Sequence, residues 1–294
     1  MTKVKKGYNL AMQLRDRHGR RLGAVLNDGA GRSVELAPAA LEAALRLRRA
    51  LAGRPALCGR GLEKLFGLKP ALLGLRFWNG RSLKLNVPAD LPNFISDIDG
   101  IILKDQYDAG RLTGRTVVDA GANIGVFTLY ALALGARRVY AFEAVKETFA
   151  LLKANLALNH AGRSVKAANI ALGAAAGRAE LLYNTRGEGS ARLAGPAPEA
   201  CRGVGYACRR LVKVAPLDRL VKVKPDLIKI DVEGHEKAVL HGAAGLIKRH
   251  KPVLTFSAYH RRSDEKDLPA AVLGIRPDYR IKLNTWAEHD FLCR

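Results

Sequence analysis

Residues 117–125 read VVDAGANIG. A short apolar run ends in Asp119, a glycine-containing turn follows, and the apolar helical pattern VFTLYALALG starts at Val126. The next apolar run, RVYAFE (138–143), also ends in an acid, Glu143. Open α/β sheets bind ligands beyond the carboxyl ends of their strands. Two acid-tipped strands around a glycine turn therefore predict a nucleoside-cofactor site. Gly121 allows a sharp turn and close approach of a ligand. Asn123 tolerates left-handed backbone better than other non-glycine residues, and Gly125 permits close packing of helix on strand.

A dinucleotide loop, G-x-G-x-x-G, needs glycines at 121, 123 and 126, but the chain has Gly121, Asn123 and Val126. The loop is not a pyrophosphate cradle, which argues against a nicotinamide oxidoreductase. It suits S-adenosylmethionine, which carries a sulfonium, an amino group and a carboxylate but no phosphate. On this reading Asp119 faces the amino-acid end. Glu143 accepts hydrogen bonds from both ribose hydroxyls, as a carboxylate can. Backbone N–H groups at 123–126 meet the methionine carboxylate at a helix N-terminus.

Strand and helix patterns alternate from there onward. Helical periodicity covers KETFALLKANLALN (146–159), EKAVLHGAAGLIKRH (236–250) and LPAAVLGI (268–275). Strand patterns cover RTVVDA (115–120), SVKAANIAL (164–172), AELLYN (179–184), LIKID (227–231), PVLTFSAYH (252–260), YRIKL (279–283) and HDFLCR (289–294). This predicts an α/β fold with a parallel sheet covered on both faces. The last two strands, closely connected, predict an antiparallel edge. The stretch between Asn184 and Arg210, rich in Gly, Pro and small residues, is a candidate loop that closes over an acceptor.

Residues 1–95 differ in texture and are read as an N-terminal α+β accessory region, with 96–294 as the cofactor-binding domain. LAPAALEAALRLRRALAG (36–53) and GLEKLFGL (61–68) predict helices, and LLGLRFWNGRSLKLNV (72–87) a hairpin turning at Asn79-Gly80. A structural cap is the favoured role for this region.

The 294 residues carry 49 Lys plus Arg against 27 Asp plus Glu, a net charge of +22. Such a surface attracts anions, nucleic acid included. The aromatics are not interleaved with the basic residues, so a base-stacking platform is not favoured. No apolar run has membrane-spanning length, and a cytoplasmic protein is expected. Cys58, Cys201, Cys208 and Cys293 are few and scattered, and free thiols are expected.

The second dense motif is LIKIDVEGHE (227–236). Asp231 ends a buried strand and should lie near Asp119 and Glu143. With Glu233 and Glu236 these acids converge on one rim, complement a sulfonium cation and offer a proton acceptor. Glu236 also suits a helix first turn without any chemistry, Glu233 could cap, and His235 is expected at the solvent. Asp231, Glu233, His235 and Glu236 are a conceivable metal set, but consecutive turn residues point in different directions, and no metal is expected.

Together VVDAGANIGVFTLYA, VYAFEAV, IALG (170–173), the Leu217-Asp218 pair, DLIKIDVEGHEKAVLHGA (226–243) and SAYHRRSDEKDLPAAVLGIRPDYRIKL (257–283) resemble the FkbM family of methyltransferases. The resemblance covers about residues 95–294. It implies a seven-stranded Rossmann-like class I methyltransferase sheet, S-adenosylmethionine as cofactor and, commonly, O-methylation of a sugar, glycolipid or natural-product hydroxyl. It implies cofactor contacts at Asp119, Gly121, Asn123, Gly125, Glu143 and Asp231, with Ala122, Ala144 and Ile170 completing the candidate set. Asp231, Glu233 and His260 are the candidate catalytic residues. Where members often have Pro after the ribose-binding acid, Ala144 and Val145 stand here. Ser257 and Tyr259-His260 occupy a place where many members carry an acid. The partner expected is a small-molecule or glycan acceptor. An RNA methyltransferase using the basic surface and a non-catalytic S-adenosylmethionine-binding protein are the alternatives.

Overall fold

The computed structural model describes residues 14–51, 54–88, 90–184, 191–195, 206–285 and 287–294. The chain divides into two compact units, one ending at Ser96 and the other beginning at Asp97.

The first unit holds more strand than the sequence suggested. Its order is β1 (Leu14–Arg15), β2 (Arg21–Asn27), β3 (Ser33–Glu35), α1 (Pro38–Ala50), α2 (Pro55–Phe66), β4 (Leu72–Phe77) and β5 (Ser82–Asn86). The five strands form one antiparallel sheet in which β2 pairs with β1, β3 and β4, and β4 with β5. β1 and β3 span only two and three residues, and β2, though seven residues long, is bounded by polar turns, so local hydropathy marks these strands weakly. Alternate residues turn inward, among them Leu22, Ala24, Leu26, Leu73, Leu75, Leu83 and Leu85. The hairpin connection is longer than a two-residue turn. Only Gly80 has positive φ, at 81°, while the Asn79 side chain accepts from Arg81 N at 3.1 Å. A helix, α3 (Leu91–Asp97), follows.

The second unit contains β6 (Thr116–Ala120), α4 (Val126–Ala133), β7 (Arg138–Glu143), α5 (Lys146–Leu158), β8 (Val165–Asn169), β9 (Ala171–Leu172), β10 (Gly177–Tyr183), β11 (Arg192–Leu193), β12 (Cys208–Ala215) and α6 (Leu217–Leu220). It continues with β13 (Leu227–Ile230), α7 (Glu236–Gly242), α8 (Ala244–His250), β14 (Val253–Ser257), α9 (Asp264–Ile275), β15 (Ile281–Asn284) and β16 (Asp290–Cys293). Seven strands make the main sheet in the order β15-β16-β14-β13-β6-β7-β8. β6, β7, β8, β13 and β14 run parallel. β16 inserts antiparallel between β14 and β15. The order reverses beside β6, the switch point that opens a crevice.

Every residue of β6 and β13 is buried, as expected for strands covered on both faces. Val118, Ile228, Ile230, Leu254 and Phe256 pack with Val239, Leu246 and Val272 from the helices in one core. The single helix expected over 236–250 is two, broken at Ala243. Close packing on either side of the break leaves room only for Gly242 and Gly245. A Cβ at Gly242 would lie 2.1 Å from the Gly173 carbonyl oxygen, and one at Gly245 would lie 2.7 Å from Asp218 Oδ2. Asp218 accepts from Gly245 N and Leu246 N, both at 2.7 Å, and so starts α8.

A second, four-stranded sheet, β11-β10-β12-β9, was not foreseen. β12 alternates between half-buried and exposed residues, and its exposed Arg209, Leu211 and Lys213 hide the strand pattern in a basic sequence. Most of the stretch between Asn184 and Arg210, the expected closing loop, lies outside the described residues. No helix among the described residues is long and apolar enough to cross a membrane. Cys58, Cys208 and Cys293 are free thiols; Cys201 lies outside the described residues.

Candidate active site

Two loops define the crevice, one after β6 and one after β13. Gly121 has φ of 79°, and a Cβ there would lie 1.7 Å from the carbonyl oxygen of Asp231. The two loops are therefore in backbone contact, and only glycine fits. Asn123, at φ 48°, takes the left-handed conformation expected of it. Gly125 caps α4 at φ 94°, and a Cβ there would meet Leu152 Cδ1 of α5 at 2.6 Å. Its smallness serves helix–helix packing, and it does not line the cavity.

The cavity is lined on one side by Gly121, Asn123, Phe142, Glu143, Ala144, Val145, Ile170 and Leu172. Leu181, Asn184, Ala191 and Leu193 of the second sheet and its flanks form another wall. Asp231, Val232, Glu233 and His235 form the third. The Ala144-Val145 pair makes sense here, because Val145 packs with Leu181 and Tyr183, and Ala144 lies against the same cluster.

Glu143 is buried and holds the loops in place. Its Oε2 accepts from Asn123 N at 2.9 Å and its Oε1 from Val145 N at 2.8 Å. A carboxylate has about four lone-pair sites, so each oxygen keeps one for a ligand. Burial raises its pKa to about 7 against the pull of the two N–H groups and Lys229. Asn169 Nδ2 donates to the carbonyls of Glu143 and Ala144 at 2.9 and 3.0 Å. Asn155 Nδ2 donates to Ile124 O at 2.8 Å.

Asp119 corrects the sequence reading. It is 0% exposed and does not line the cavity. Oδ2 accepts from Thr128 Oγ1 at 2.5 Å, and Oδ1 lies 3.1 Å from Lys229 Nζ. Lys229 sits directly opposite Asp119 in the strand register and donates to Gly121 O at 2.7 Å. Burial pulls the lysine pKa down, but Asp119, Asp231 and Glu143 outweigh it and keep the ammonium charged. This buried pair supports the glycine loop from beneath. Lys229 was missed because a lone lysine inside an apolar strand reads as an interruption; its pairing with an acid on the next strand was the available signal. The backbone donors expected for a carboxylate are also partly engaged, since Asn123 N serves Glu143 and Gly125 N donates to Ala122 O at 2.8 Å. Ala122 is buried and its N–H donates to Phe142 O at 2.9 Å.

Asp231 lies where expected, at the carboxyl end of β13. Its Oδ2 accepts from Tyr107 OH at 2.8 Å. Burial works against its ionised form, but Lys229, His260 and Tyr107 hold its pKa below the usual carboxylate value. Tyr107 precedes the part of the domain with legible motifs, and nothing in its surroundings marked it. Glu233, at φ 56°, has its pKa raised by burial despite the nearby imidazole.

His260 is behind this wall, not on it. It is 1% exposed. Its Nδ1 lies 3.1 Å from Glu236 Oε1, and its Nε2 lies 3.4 Å from Glu233 Oε2 and 3.8 Å from Asp231 Oδ1. Burial disfavours the charged ring, but Glu236, Glu233 and Asp231 prevail and push the pKa up to about 12. At 1% exposure and absent from the cavity lining, His260 is out of reach of an acceptor hydroxyl, which argues against it as general base. Glu236 is buried and not merely a helix-start acid. Its Oε1 also accepts from Val232 N and Gly234 N at 3.0 and 3.1 Å, folding the Val232–Gly234 turn. His235, expected at the solvent, lines the cavity, and burial lowers its pKa.

The strand order, the antiparallel β16 and the acid-tipped loops after β6 and β7 define a class I, Rossmann-like methyltransferase sheet. The profile of the Methyltransferase FkbM domain matches residues 119–284, and the chain belongs to this family. It is 35% identical over 164 residues to Methyltransferase sdnD of Sordaria araneosa, a match spanning 46% of this chain and 63% of that protein. The chain thus spans less than two thirds of this relative. The crystal structure of Methyltransferase FkbM from Methylobacillus flagellatus KT is similar at 23% identity and a TM-score of 0.47, covering 71% of this chain and 56% of that one. The ribosomal protein L11 methylase of Lactobacillus delbrueckii subsp. bulgaricus is similar at 15% identity and a TM-score of 0.39, covering 69% and 77%.

Proposed function

We propose that the protein transfers a methyl group from S-adenosylmethionine to a hydroxyl of a small-molecule or glycan acceptor. The observation that carries this reading is the polarity of one cavity. Glu143 and an apolar slot of Phe142, Ala144, Ile170 and Leu172 lie along one side, and Asp231 and Glu233 along another. The residues fit the cofactor. The free lone pairs of Glu143 suit ribose hydroxyls, the apolar slot suits adenine, and the two carboxylates suit a cationic sulfonium and ammonium. When bound, the cofactor supplies an activated methyl group.

This chain's residues supply alignment and exclusion of water. Glu143 and the apolar slot would hold the cofactor so that its methyl group is presented to an acceptor oxygen on the Asp231–Glu233 side of the cavity. Asp231 and Glu233 line the cavity, and one of these carboxylates would accept the hydroxyl proton. Transfer of label from methyl-labelled S-adenosylmethionine into fractionated cell extract tests the reading. Label in glycan or small-molecule fractions is expected. Label in RNA, with binding that falls steeply with salt, would favour the RNA alternative suggested by the +22 charge. Binding without any transfer would favour a non-catalytic role.

A further inference from the structure

The sheet of the N-terminal unit buries one face and leaves the other to solvent. Its inward residues are apolar, so alternation along each strand turns the remaining residues outward. On that outer face Arg15 stands opposite Arg21, Arg76 lies between Gly23 and Ser82, and Lys84 pairs with Gly74. Arg15, Arg21, Arg76 and Lys84 are all exposed. Gly23 and Gly74 add no side chains, so the basic groups rise from a low floor. Glu35, opposite Val25 on β3, is the one acid on this face among the described residues.

One end of the sheet concentrates the charge further. Leu22 pairs with Phe77, which brings the turn between β1 and β2 beside the turn between β4 and β5. Trp78 follows Phe77 at this tip and is 37% exposed. The Arg20 guanidinium carbon lies 3.8 Å from the centroid of its ring, and the buried Asp16 carboxylate holds Arg20 there. Arg81 is exposed on the same turn. Arg21 and Arg76 have no acidic partner among the described residues. Like charges directly opposite one another on neighbouring strands repel, as Arg15 and Arg21 do, and an external anionic surface relieves that repulsion.

We propose that this face docks the protein on an anionic phospholipid surface, with Trp78 entering the headgroup layer. Charge complementarity carries the argument. Arg15, Arg20, Arg21, Arg76, Arg81 and Lys84 gather on one face and tip around one exposed indole. Each basic side chain near an anionic leaflet adds attraction, which falls off within a Debye length. Guanidinium groups also grip phosphate through paired hydrogen bonds. Tryptophan favours the interface, where its apolar body is buried and its N–H stays wet. A single-stranded nucleic acid fits this face less well, because it needs a run of aromatic faces along a groove. Trp78 is the only aromatic on this face among the described residues, and Arg20 already covers one side of it. The inference rests on the first unit alone and is independent of the methyl-transfer reading.

Flotation of the full chain with phosphatidylcholine vesicles, and with vesicles that also contain phosphatidylglycerol, tests the proposal. Binding to the anionic vesicles alone is expected, weakening as salt rises. Arg21→Glu combined with Arg76→Glu should weaken it by about tenfold or more. Trp78→Ala should weaken it at unchanged net charge. Lys153→Glu combined with Lys224→Glu makes the same charge change at exposed positions of the second unit and should bind like the parent. With Trp286→Phe, Trp78 is the only tryptophan left, and its emission should shift to the blue on anionic vesicles. That shift needs no charge variant and decides the matter where one fails to fold. Equal binding to both kinds of vesicle, or an unshifted emission, would overturn the proposal. So would equal losses in the two charge-reversed pairs, which would make the face part of a diffuse +22 charge. Binding of poly(U) tighter than that of the anionic vesicles, and lost with Arg21→Glu and Arg76→Glu, would overturn it in favour of RNA.

Discussion

At Glu143 two demands meet on one carboxylate. It ties Asn123 and Val145 together, and its remaining lone pairs face the cavity. Its pKa of about 7 lies above the usual 4.5, so it gains a proton as pH falls through neutrality. Protonation removes acceptor capacity, and S-adenosylmethionine affinity should therefore weaken below about pH 7. Calorimetry across pH 5.5–8.5 checks this, a range of roughly one to two units around that value. Glu143→Gln should bind weakly and lose the pH dependence; an unchanged profile would exclude the ribose role.

Gly121 was legible for its turn, but the reason for its smallness was not. Contact with the Asp231 carbonyl depends on two loops more than a hundred residues apart in sequence, which no local pattern encodes. Gly121→Ala should cost about 2–4 kcal/mol in chemical denaturation, because the obstacle is backbone that cannot swing aside.

Among the elements, β6, β7 and β13 were legible because buried parallel strands read as unbroken apolar runs. β12 was not, since its exposed residues are basic and its partners β9 and β10 come from separate segments. Among the residues lining the cavity, Glu143 and Asp231 were legible from strand ends and Glu233 from the turn that follows one. Asp119 lies on the expected strand, while His260, expected at the end of a strand over 252–260, falls in the loop after β14, which ends at Ser257; both face other partners, because a strand end fixes a residue's position and not its neighbours. The Asp119–Lys229 pair joins β6 to β13 across the sheet. Removing one partner strands a buried charge, so Lys229→Met should destabilise the domain by about 3–5 kcal/mol. Adding Asp119→Asn should recover part of the loss. Urea denaturation of both variants tests this, and equal stability of the single and double variants would show that the charges do not interact.

For the molecule as a whole, several buried acids set how stability responds to pH. Burial lifts Asp264 to about 6. Burial, with Asp231 and Glu288 adding to it, lifts Asp290 to about 8, against hydrogen bonds from Ser257 and Gln106. An acid whose folded pKa exceeds its unfolded value stabilises the fold at low pH, and the contribution is lost as pH rises. For Asp290 the window runs from its ordinary 3.8 to about 8. Asp290→Asn should therefore gain stability relative to the parent across that window and level off above it. Denaturation midpoints at several pH values check the trend; a constant difference would show that Asp290 is ionised throughout.

The contact between Gly121 and Asp231 also bears on recombination within the family. The turn after β13 cannot be exchanged as an independent cassette, because its backbone is seated on the turn after β6. A chimera importing a foreign 231–236 segment inherits a requirement at position 121. Libraries seeking new acceptors would do better to diversify side chains on a retained DVEGHE backbone than to lengthen or graft it.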